Sequence, residues 1–544
     1  MQPLLQLFTA ANGSASARVS FGNDVVRHLH STIDPDAEAA VFNGFEFFGD
    51  VIVFAGIGLG WHLTDAMPKL PDAALCIVVD YFPECISYCK DTFFKYKPNT
   101  VVYLSGQSDA DAIKNIENLC KTKPQAKLQI IKHPASFFCF QEFYHKIIEQ
   151  IASFYIVKKA TPLWLRKKAA LFFGNFFLEK ELSNALKTSS EGPLLFNYTA
   201  HKSTFDFECA FSKFIQTESP DFILSINMNG FDSNGEIGII AARYGVPIIV
   251  WFVDDPRPIL LAHKSHISPN TIALCWEKSF LPFLRKFNFR MVEYVPLACD
   301  PSLFSNIQPS KPETPIGFVG TAMVDSSAGN IRSKFLWSPS YVPIVEFCSD
   351  QLVKNKNILC PDAIVTAASM FGIQLAFSDE KNMTWLISYI THYASMKKRK
   401  SLLQPLLPFG LETFGDPLGW KTLLGNTVPT HDNIDYRHGI GAIYNSIQVN
   451  INITSCQMPS TVNQRVFDIP MANSFVLSDK QSDLLELFDM NEIAFFENQS
   501  ELVDMAKFYL SHEIQREAIV NAARKRILLD HTYENRVEKI LSLL

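Results

Sequence analysis

The stretch that decides the fold is DFILSINMNGFDSNGEIGIIAARYGVPIIVWFVDD, residues 221–255. It contains two short apolar runs, FILSI and IIVWF, with a segment of helical spacing between them. Near-continuous apolar runs are typical of parallel strands that are buried on both faces, and a helix joins two such strands in a βαβ unit. The stretch therefore predicts a parallel sheet in which one strand ends at Asn227 and the next at Asp254.

The same alternation of strands and helices extends in both directions. Further apolar runs before it (VIVFA, LCIVVD, VVYLS and LQIIK) and after it (TIALCW, MVEYVPL, IGFVG and IQVNINIT) predict strands of parallel sheets. The predicted fold class is α/β, with a pair of doubly wound parallel-sheet domains and an N-terminal Rossmann-like domain. We place the boundaries at 1–150 for the Rossmann-like domain, 151–192 for a linker helix, 193–310 for the first domain of the pair, and 311–544 for the second, with a helical insertion at about 341–400.

Composition excludes several classes of protein. At 544 residues the chain is too long for one core, and 47% hydrophobic residues are unlike a disordered protein. A formal net charge of −6 gives no overall electrostatic reason to bind nucleic acid. The eleven cysteines have no disulfide or metal-site spacing. No apolar run is long enough for a membrane span, and no basic signal precedes the first apolar patch, so we expect a cytoplasmic protein.

Five motifs occur in order over the last 350 or so residues: WFVDDPR (251–257), VPLACDPSLF (295–304), IYNSIQVNIN (443–452), NQRVFD (463–468) and HTYENR (531–536). Together they resemble the CgeB-like glycosyltransferases, a family named after a spore-maturation protein. The resemblance implies a GT-B fold, in which acceptor-side and donor-side domains face each other across a cleft. It also implies a UDP- or GDP-linked sugar as donor and no bound metal.

The donor side offers candidates for each part of a nucleotide-sugar. Gly320 and Thr321 follow the strand IGFVG, where a small residue lets backbone N–H groups approach a diphosphate, although an ordinary tight turn looks the same. Arg465 could bind phosphate oxygens or form a structural salt bridge. Asp468, one helical turn later, could accept hydrogen bonds from ribose hydroxyls. Further candidates for donor contacts are Tyr436, His438 and Asn463.

The acceptor side offers a candidate base. Asp254 and Asp255 follow a buried strand, so at least one carboxylate should reach the mouth of the cleft and accept a proton from an acceptor hydroxyl. Alternatively, one aspartate caps a turn or pairs with Arg257. Asn227, Asn229 and Gly230 follow the preceding strand and are candidates for acceptor contacts, although Asn-Gly is also common in turns.

One departure limits the mechanism. Many retaining GT-B enzymes carry two carboxylates eight positions apart in the donor half, but eight positions before Asp468 the chain has Ser460. The resemblance therefore assigns neither inversion nor retention.

The N-terminal segment carries a second candidate site. Gly56, Gly58 and Gly60 follow a strand, and Asp80 ends the next strand, as in sites for dinucleotides or S-adenosylmethionine, but the full GxGxxG pattern is absent. GIGLGWH and IIKHPAS resemble the N-terminal part of motility-associated flagellin-modification proteins. Both a working site and a degenerate scaffold fit these residues.

The leading interpretation is a glycosyltransferase that moves a sugar from a nucleotide-sugar to a protein, such as flagellin, or to a surface glycan. Two alternatives remain. One is an S-adenosylmethionine-dependent methyltransferase with a fused sugar-binding module, and the other is a non-catalytic assembly module whose transferase halves have decayed.

Overall fold

The computed structural model describes residues 3–22, 25–42, 47–65, 67–93, 101–105, 114, 118, 120, 123, 126–140, 143–144, 146–148, 151, 167–190, 192, 193–201, 204–232, 234–324, 330–355 and 358–544. The chain divides into two compact units. The first comprises residues 1–165, 196–222 and 235–247, and the second comprises residues 166–195, 223–234 and 248–544. Among the described residues, no helix is both long and apolar enough to cross a bilayer.

The N-terminal part of the first unit contains two sheets. The first is antiparallel and consists of β1 (Leu4–Thr9), β2 (Ala15–Ser20) and β3 (Val26–His28). The second is parallel and consists of β4 (Val51–Ala55), β5 (Leu75–Asp80), β6 (Val101–Ser105) and β7 (Leu128–Lys132), in the order β6-β5-β4-β7. Helices α1 (Pro83–Thr92) and α2 (Pro134–Cys139) follow β5 and β7. This parallel sheet confirms the predicted Rossmann-like segment at the level of fold class.

A six-stranded sheet lies mainly in the second unit. Its strands are β8 (Ala169–Phe173), β9 (Pro193–Asn197), β10 (Phe222–Ile226), β11 (Ile248–Phe252), β12 (Thr271–Cys275) and β13 (Met291–Tyr294), in the order β9-β8-β10-β11-β12-β13. Strands β10 to β13 pair in parallel. The helices of this stretch of chain are α3 (Glu179–Ser189), α4 (Thr204–Glu218), α5 (Glu236–Arg243), α6 (Pro256–His263) and α7 (Leu281–Leu284).

The position of β8 corrects the prediction of a linker helix over 151–192. Residues 169–173, AALFF, form a strand next to β10, and Glu179–Ser189 forms the following helix. The basic residues on either side suggested a continuous helix, but four of the five strand residues are buried, which is typical of an inner strand. The sheet therefore begins at β8 rather than at residue 193. Residues 152–166 of the predicted linker lie outside the described residues.

The second six-stranded sheet lies wholly in the second unit and is parallel throughout. Its strands are β14 (Thr314–Val319), β15 (Leu411–Phe414), β16 (Thr430–His431), β17 (Ile447–Asn452), β18 (Val476–Asp479) and β19 (Ala494–Phe496), in the order β16-β15-β14-β17-β18-β19. Its helices are α8 (Val342–Lys354), α9 (Cys360–Phe371), α10 (Glu380–Leu403), α11 (Pro417–Leu424), α12 (Ile440–Ser446), α13 (Arg465–Met471), α14 (Leu484–Leu487), α15 (Gln499–Ser511), α16 (Glu513–Asp530) and α17 (Tyr533–Ser542). Helices α8, α9 and α10 occupy the predicted helical insertion.

The two six-stranded sheets confirm the predicted fold class, and their strand orders indicate where ligands would bind. Ligands of open parallel sheets bind beyond the carboxyl ends of the strands, at the point where the strand order reverses. The order reverses between β8 and β10 in one sheet and between β14 and β17 in the other. At these points lie the loops that follow Phe173 and Ile226 in the first sheet, and Val319 and Asn452 in the second.

Candidate active site

Asn227 and Asp254 meet at the carboxyl ends of β10 and β11. The Asn227 side chain accepts a hydrogen bond from the backbone N–H of Val253 (2.9 Å) and donates one to Oδ2 of Asp254 (2.8 Å). Asn227 has a φ of 52°, a left-handed conformation that asparagine tolerates better than most residues and that recurs at functional sites. Burial raises the pKa of Asp254 to about 6, against the opposing effect of the Asn227 hydrogen bond.

Asp255 has a different set of partners. Its carboxylate accepts the backbone N–H of Arg257 (3.0 Å) at the start of α6 and forms an ion pair with the Arg257 guanidinium, whose Nη2 lies 2.5 Å from Oδ2. Both oxygens are therefore engaged in capping and pairing, the alternative that the sequence left open. Of the two predicted catalytic aspartates, Asp255 is held in an ion pair and Asp254 is hydrogen-bonded to an amide.

A cavity of about 450 Å³ opens beside Asp254 within the second unit. It is lined by Asp254 and Asn229, by Trp385 and His392 of α10, and by Gln457 from the loop after β17. The side chain of Asp254 is exposed to solvent on the cavity side. The amide nitrogen Nδ2 of Asn229 is buried and has no hydrogen-bond partner in the described part of the chain. A ligand hydroxyl in the cavity would satisfy it.

Gly230, the third predicted acceptor contact, takes no part in the cavity wall. It has a φ of 85° and completes the turn after β10. Its role is conformational, because glycine adopts this region without a steric cost.

The loop after β14 is shaped by Gly320. Gly320 has a φ of 149°, and a Cβ at this position would lie 2.9 Å from Nη2 of Arg465. Its N–H donates to the Phe414 carbonyl, and its carbonyl accepts from the Trp420 indole N–H (2.9 Å). The exposed N–H of Thr321 has no partner among the described residues. The glycine thus lets a guanidinium lie against the loop, beside one available backbone N–H.

Arg399 of α10 is a second cation at this loop, and the sequence did not point to it. Its Nη1 donates to the Thr321 carbonyl (2.6 Å), and its buried Nε has no partner. Burial and the nearby Arg465 lower the pKa of Arg399 to about 9. Within the described ranges no carboxylate lies within 4.0 Å of either guanidinium. Two neighbouring cations without a counter-charge are unfavourable unless an anion joins them.

Residues 398–542 match the glycosyl transferase-like family model. This glycosyl transferase-like segment contains Arg399, Arg465 and the strands β15 to β19. The match shows a glycosyl transferase-like segment within the predicted second domain of the pair. No curated protein matches the chain.

Several solved structures resemble the chain at low identity. They include an α-glucosyltransferase in complex with UDP and a 13-mer DNA (7% identity, TM-score 0.40, 69% of this chain and 99% of that chain). HepE of Anabaena in complex with UDP-glucose matches at 10% identity, with a TM-score of 0.39 and 70% and 100% of the two chains covered. Sucrose-phosphate synthase of Thermosynechococcus elongatus matches at 10% identity, with a TM-score of 0.37 and 70% and 98% covered.

Asp468, within the glycosyl transferase-like segment, lies in the interior rather than in an open ribose site. Its side chain is 1% exposed and accepts a hydrogen bond from Tyr436 (2.8 Å), which in turn contacts Gln464. Burial raises the pKa of Asp468 to about 7, while the Tyr436 hydroxyl and the Cys299 thiol oppose that rise. In this conformation the Asp468 carboxylate is buried and hydrogen-bonded to Tyr436, and a ribose hydroxyl cannot reach it.

The two remaining donor candidates also have local roles. The His438 side chain is 80% exposed and pairs with Asp435 three residues earlier. Asn463 is buried, donates to Oδ1 of Asn452 (2.8 Å) and accepts the N–H of Arg465 (3.1 Å) at the start of α13. Asn463 therefore positions Arg465, whereas nothing connects His438 with the loop after β14.

The N-terminal glycine turn is closed by protein groups. The Asp80 carboxylate accepts the backbone N–H groups of Ile57 (2.7 Å), Gly58 (3.0 Å) and Phe82 (3.0 Å), so it is not available to a ribose. A side chain at Gly58 would collide with His30. Gly56 and Gly60 are equally packed, against Ser136 and Phe93 respectively. The predicted nucleotide site is filled, which favours the scaffold interpretation.

A cluster of His30, Glu38 and His133 lies beside this turn with metal-ligand spacing. His30 accepts the backbone N–H of Leu59 at Nε2 (2.7 Å), so its neutral ring carries the proton on Nδ1, which faces Glu38 (2.7 Å). A metal at Nδ1 would force a proton onto Nε2, opposite a backbone donor. The His133 ring also stacks on the His30 ring. The cluster is thus a packed hydrogen-bonded core rather than a ligand set.

Proposed function

We propose that the chain transfers a sugar from a nucleotide-sugar donor, linked to UDP or GDP, to a hydroxyl of an acceptor. The observation that carries this proposal is the pair of guanidiniums, Arg399 and Arg465, that converge without a counter-charge on the Gly320–Thr321 loop of a glycosyl transferase-like domain. The pair lies where the strand order of its sheet reverses, which is where open parallel sheets bind nucleotides.

In the proposed arrangement the diphosphate takes the place of the missing counter-charge. Guanidinium binds phosphate oxygens bidentately, and the free N–H of Thr321 adds a backbone donor. Two fixed cations would stabilise the negative charge that develops on the leaving nucleoside diphosphate. The positive charge comes from side chains, so the proposal requires no metal.

Asp254 is the proposed general base. A carboxylate with a pKa of about 6 is ionised at neutral pH and accepts the proton from the acceptor hydroxyl as that oxygen attacks the anomeric carbon. Asn227 orients it by holding Oδ2. Asp255 supports the loop through Arg257 and has no proton-transfer role in the proposal.

The test is a thermal-shift series with UDP, GDP, CMP, their sugar conjugates and S-adenosylmethionine. A ligand at 100 times its dissociation constant stabilises the protein by about 2.7 kcal/mol. We expect a shift with one nucleoside diphosphate, and we expect Arg465→Ala and Arg399→Ala each to weaken its binding by roughly 10- to 100-fold, since a charge-assisted hydrogen bond contributes about 1.5–3 kcal/mol. Arg285→Ala, at an exposed position, is the matched control. A nucleotide shift that survives both arginine substitutions would refute the proposal.

A shift with S-adenosylmethionine alone would favour the methyltransferase alternative, and no shift with any ligand would favour the assembly module. The filled glycine turn argues against the first, because Asp80 is engaged by backbone donors. Membership of the CgeB-like family, a flagellin or surface-glycan acceptor and a cytoplasmic location remain part of the proposal and rest on the sequence resemblance.

A further inference from the structure

The cavity beside Asp254 is lined by hydrogen-bonding side chains and by the apolar side chains of Pro258, Ile259 and Ala262. Of the described residues, no lysine or arginine lines it. Its volume of about 450 Å³ falls within the range of sites for small molecules, roughly 300–1,000 Å³. A pocket without cations does not favour an anionic ligand such as a phosphorylated or carboxylated acceptor.

Two histidines present hydrogen-bond acceptors to this cavity. His392 has its Nδ1 2.8 Å from the Ser388 carbonyl, and His263 has its Nδ1 3.1 Å from the Asp232 carbonyl. A carbonyl only accepts, so each Nδ1 carries a proton, and in the neutral form of each ring Nε2 has a lone pair that can accept a hydrogen bond. With the Asp254 carboxylate, the cavity therefore offers three acceptors to a ligand that donates several hydrogen bonds.

Donors and an apolar surface complete the lining. Asn229 lines the cavity, and its buried Nδ2, which has no hydrogen-bond partner among the described residues, is a candidate donor to a ligand oxygen. Trp385 contributes a half-buried indole, and the ammonium of Lys334 lies 4.2 Å from the centre of its ring. A flat apolar ring next to clustered hydrogen-bonding groups complements a sugar, which has an apolar C–H face and hydroxyls around its edge.

We infer that this cavity binds the acceptor, and that the acceptor is a neutral carbohydrate whose ring stacks on Trp385 while its hydroxyls bind Asp254, His392 and Asn229. This inference rests on the proposed function, because it names the acceptor of that reaction. Of the two acceptors that the proposed function leaves open, it selects the glycan over a serine or threonine of a folded protein, since a single hydroxyl on a short side chain would leave most of these groups unsatisfied.

The experiment measures binding by saturation-transfer NMR and titration calorimetry, with and without UDP. The probes are the methyl glycosides of glucose, galactose, mannose and N-acetylglucosamine, the anionic N-acetylneuraminic acid, and a short peptide rich in serine and threonine. We expect saturable binding of at least one neutral glycoside. We expect Trp385→Ala to weaken it about tenfold or more, and Trp385→Phe, which keeps an aromatic face, to weaken it by less than about threefold.

Control variants separate this inference from the proposed function. His392→Gln should weaken glycoside binding, whereas His512→Gln, at a half-buried position between α15 and α16 that does not line the cavity, should not. Trp385→Ala should keep the thermal shift with UDP, and Arg465→Ala should lose that shift while keeping the glycoside. Preferential binding of the peptide or of N-acetylneuraminic acid, or glycoside binding that is indifferent to Trp385→Ala, would overturn the inference. If the wild-type protein bound a neutral glycoside but showed no thermal shift with UDP, that result would count against the proposed function instead.

Discussion

Asp254 and Asp255 are adjacent, yet only one of them is held in a way that suits proton transfer. Asp254 has a pKa raised to about 6 and an open face, so the base is ionised only above that pH. We expect kcat/KM for transfer to rise with pH through about 6 and to level off above it. Asp254→Asn should lower kcat by roughly 10²- to 10⁴-fold, the usual contribution of a general base, with the UDP thermal shift unchanged.

The neighbouring Asp255 provides the control for the pH dependence that we expect from Asp254. Asp255→Asn removes the ion pair with Arg257 and should lower the melting temperature; the acid limb of the pH profile should persist, with its midpoint moved slightly below 6 because the Asp255 charge adds to the rise in the pKa of Asp254 that burial causes. An acid limb that persists in Asp254→Asn, or that moves only in Asp255→Asn, would assign the titration to another group.

Asp468 carries a prediction about stability. Its pKa in the folded chain is about 7, above its ordinary value of 3.8, because burial disfavours the charge. The folded state therefore holds a proton that the unfolded chain releases between these values, and this group's contribution to stability falls as pH rises from about 4 to 7. Asp468→Asn keeps an acceptor for Tyr436 and should equal or exceed the wild-type free energy of unfolding above pH 7, with the difference closing toward pH 4.

Urea titrations across that pH range measure the difference. Asp504→Asn, which changes an exposed carboxylate on α15, should follow the wild-type curve. If Asp468→Asn is instead less stable at high pH and equal at low pH, the carboxylate is stabilised as an anion, and the burial argument is wrong.

The loop after β14 makes a prediction at the scale of an element. Gly320→Ala places a methyl group 2.9 Å from the Arg465 guanidinium and puts a side chain at a φ of 149°. The guanidinium must shift, so we expect UDP to bind roughly tenfold or more weakly. Gly372→Ala is a matched control, because it also has a positive φ (61°) but meets nothing within 4 Å. It should lower stability without changing UDP affinity, and calorimetry with both variants tests this.

The elements also show what sequence reasoning could and could not predict. Buried apolar runs located β10, β11, β14 and β17, and hence the strand ends that carry Asn227, Asp254 and Gly320. The same criterion missed β8, because its basic flanks looked like a helix. Arg399 was missed because it lies on a helix 66 positions before Arg465, and no spacing rule connects residues that only the fold brings together.

Across the whole chain, three parallel sheets offer a strand-order reversal, but their reversal points differ in what fills them. In the first unit, His30 and His133 pack against the glycine turn after β4, and Asp80 is satisfied by backbone groups. In the second unit, the loop after β14 has two guanidiniums with no carboxylate within 4.0 Å among the described residues, beside the backbone N–H of Thr321, which has no partner there. From the sequence alone, the glycine-containing loops of both units were candidate sites. The polar groups that lack protein partners distinguish the candidate site from the scaffold.

Ser460 lies eight positions before Asp468, where many retaining GT-B enzymes carry a carboxylate. Its hydrogen bonds connect the two six-stranded sheets of the second unit. Glu277, just after β12, is fully buried and accepts the Ser460 hydroxyl (2.6 Å) and the N–H groups of Ser460 (3.1 Å) and Thr461 (2.9 Å). A carboxylate at 460 would meet that of Glu277 in a buried setting. Ser460→Glu should therefore destabilise the protein by several kcal/mol, on the order of 3, whereas Ser460→Ala, which removes one hydrogen bond, should cost about 1 kcal/mol.

The double variant Glu277→Gln with Ser460→Glu tests whether charge repulsion causes the loss of stability expected in Ser460→Glu. If repulsion between the two carboxylates dominates, the glutamine should restore part of the stability lost in Ser460→Glu, and the coupling free energy from the four urea curves should exceed about 1 kcal/mol. Additive losses would mean that the larger side chain, rather than its charge, is excluded. In the first case, the buried charge of Glu277 explains why position 460 carries no carboxylate. An acidic residue at 460 would then be tolerated only together with a change at 277.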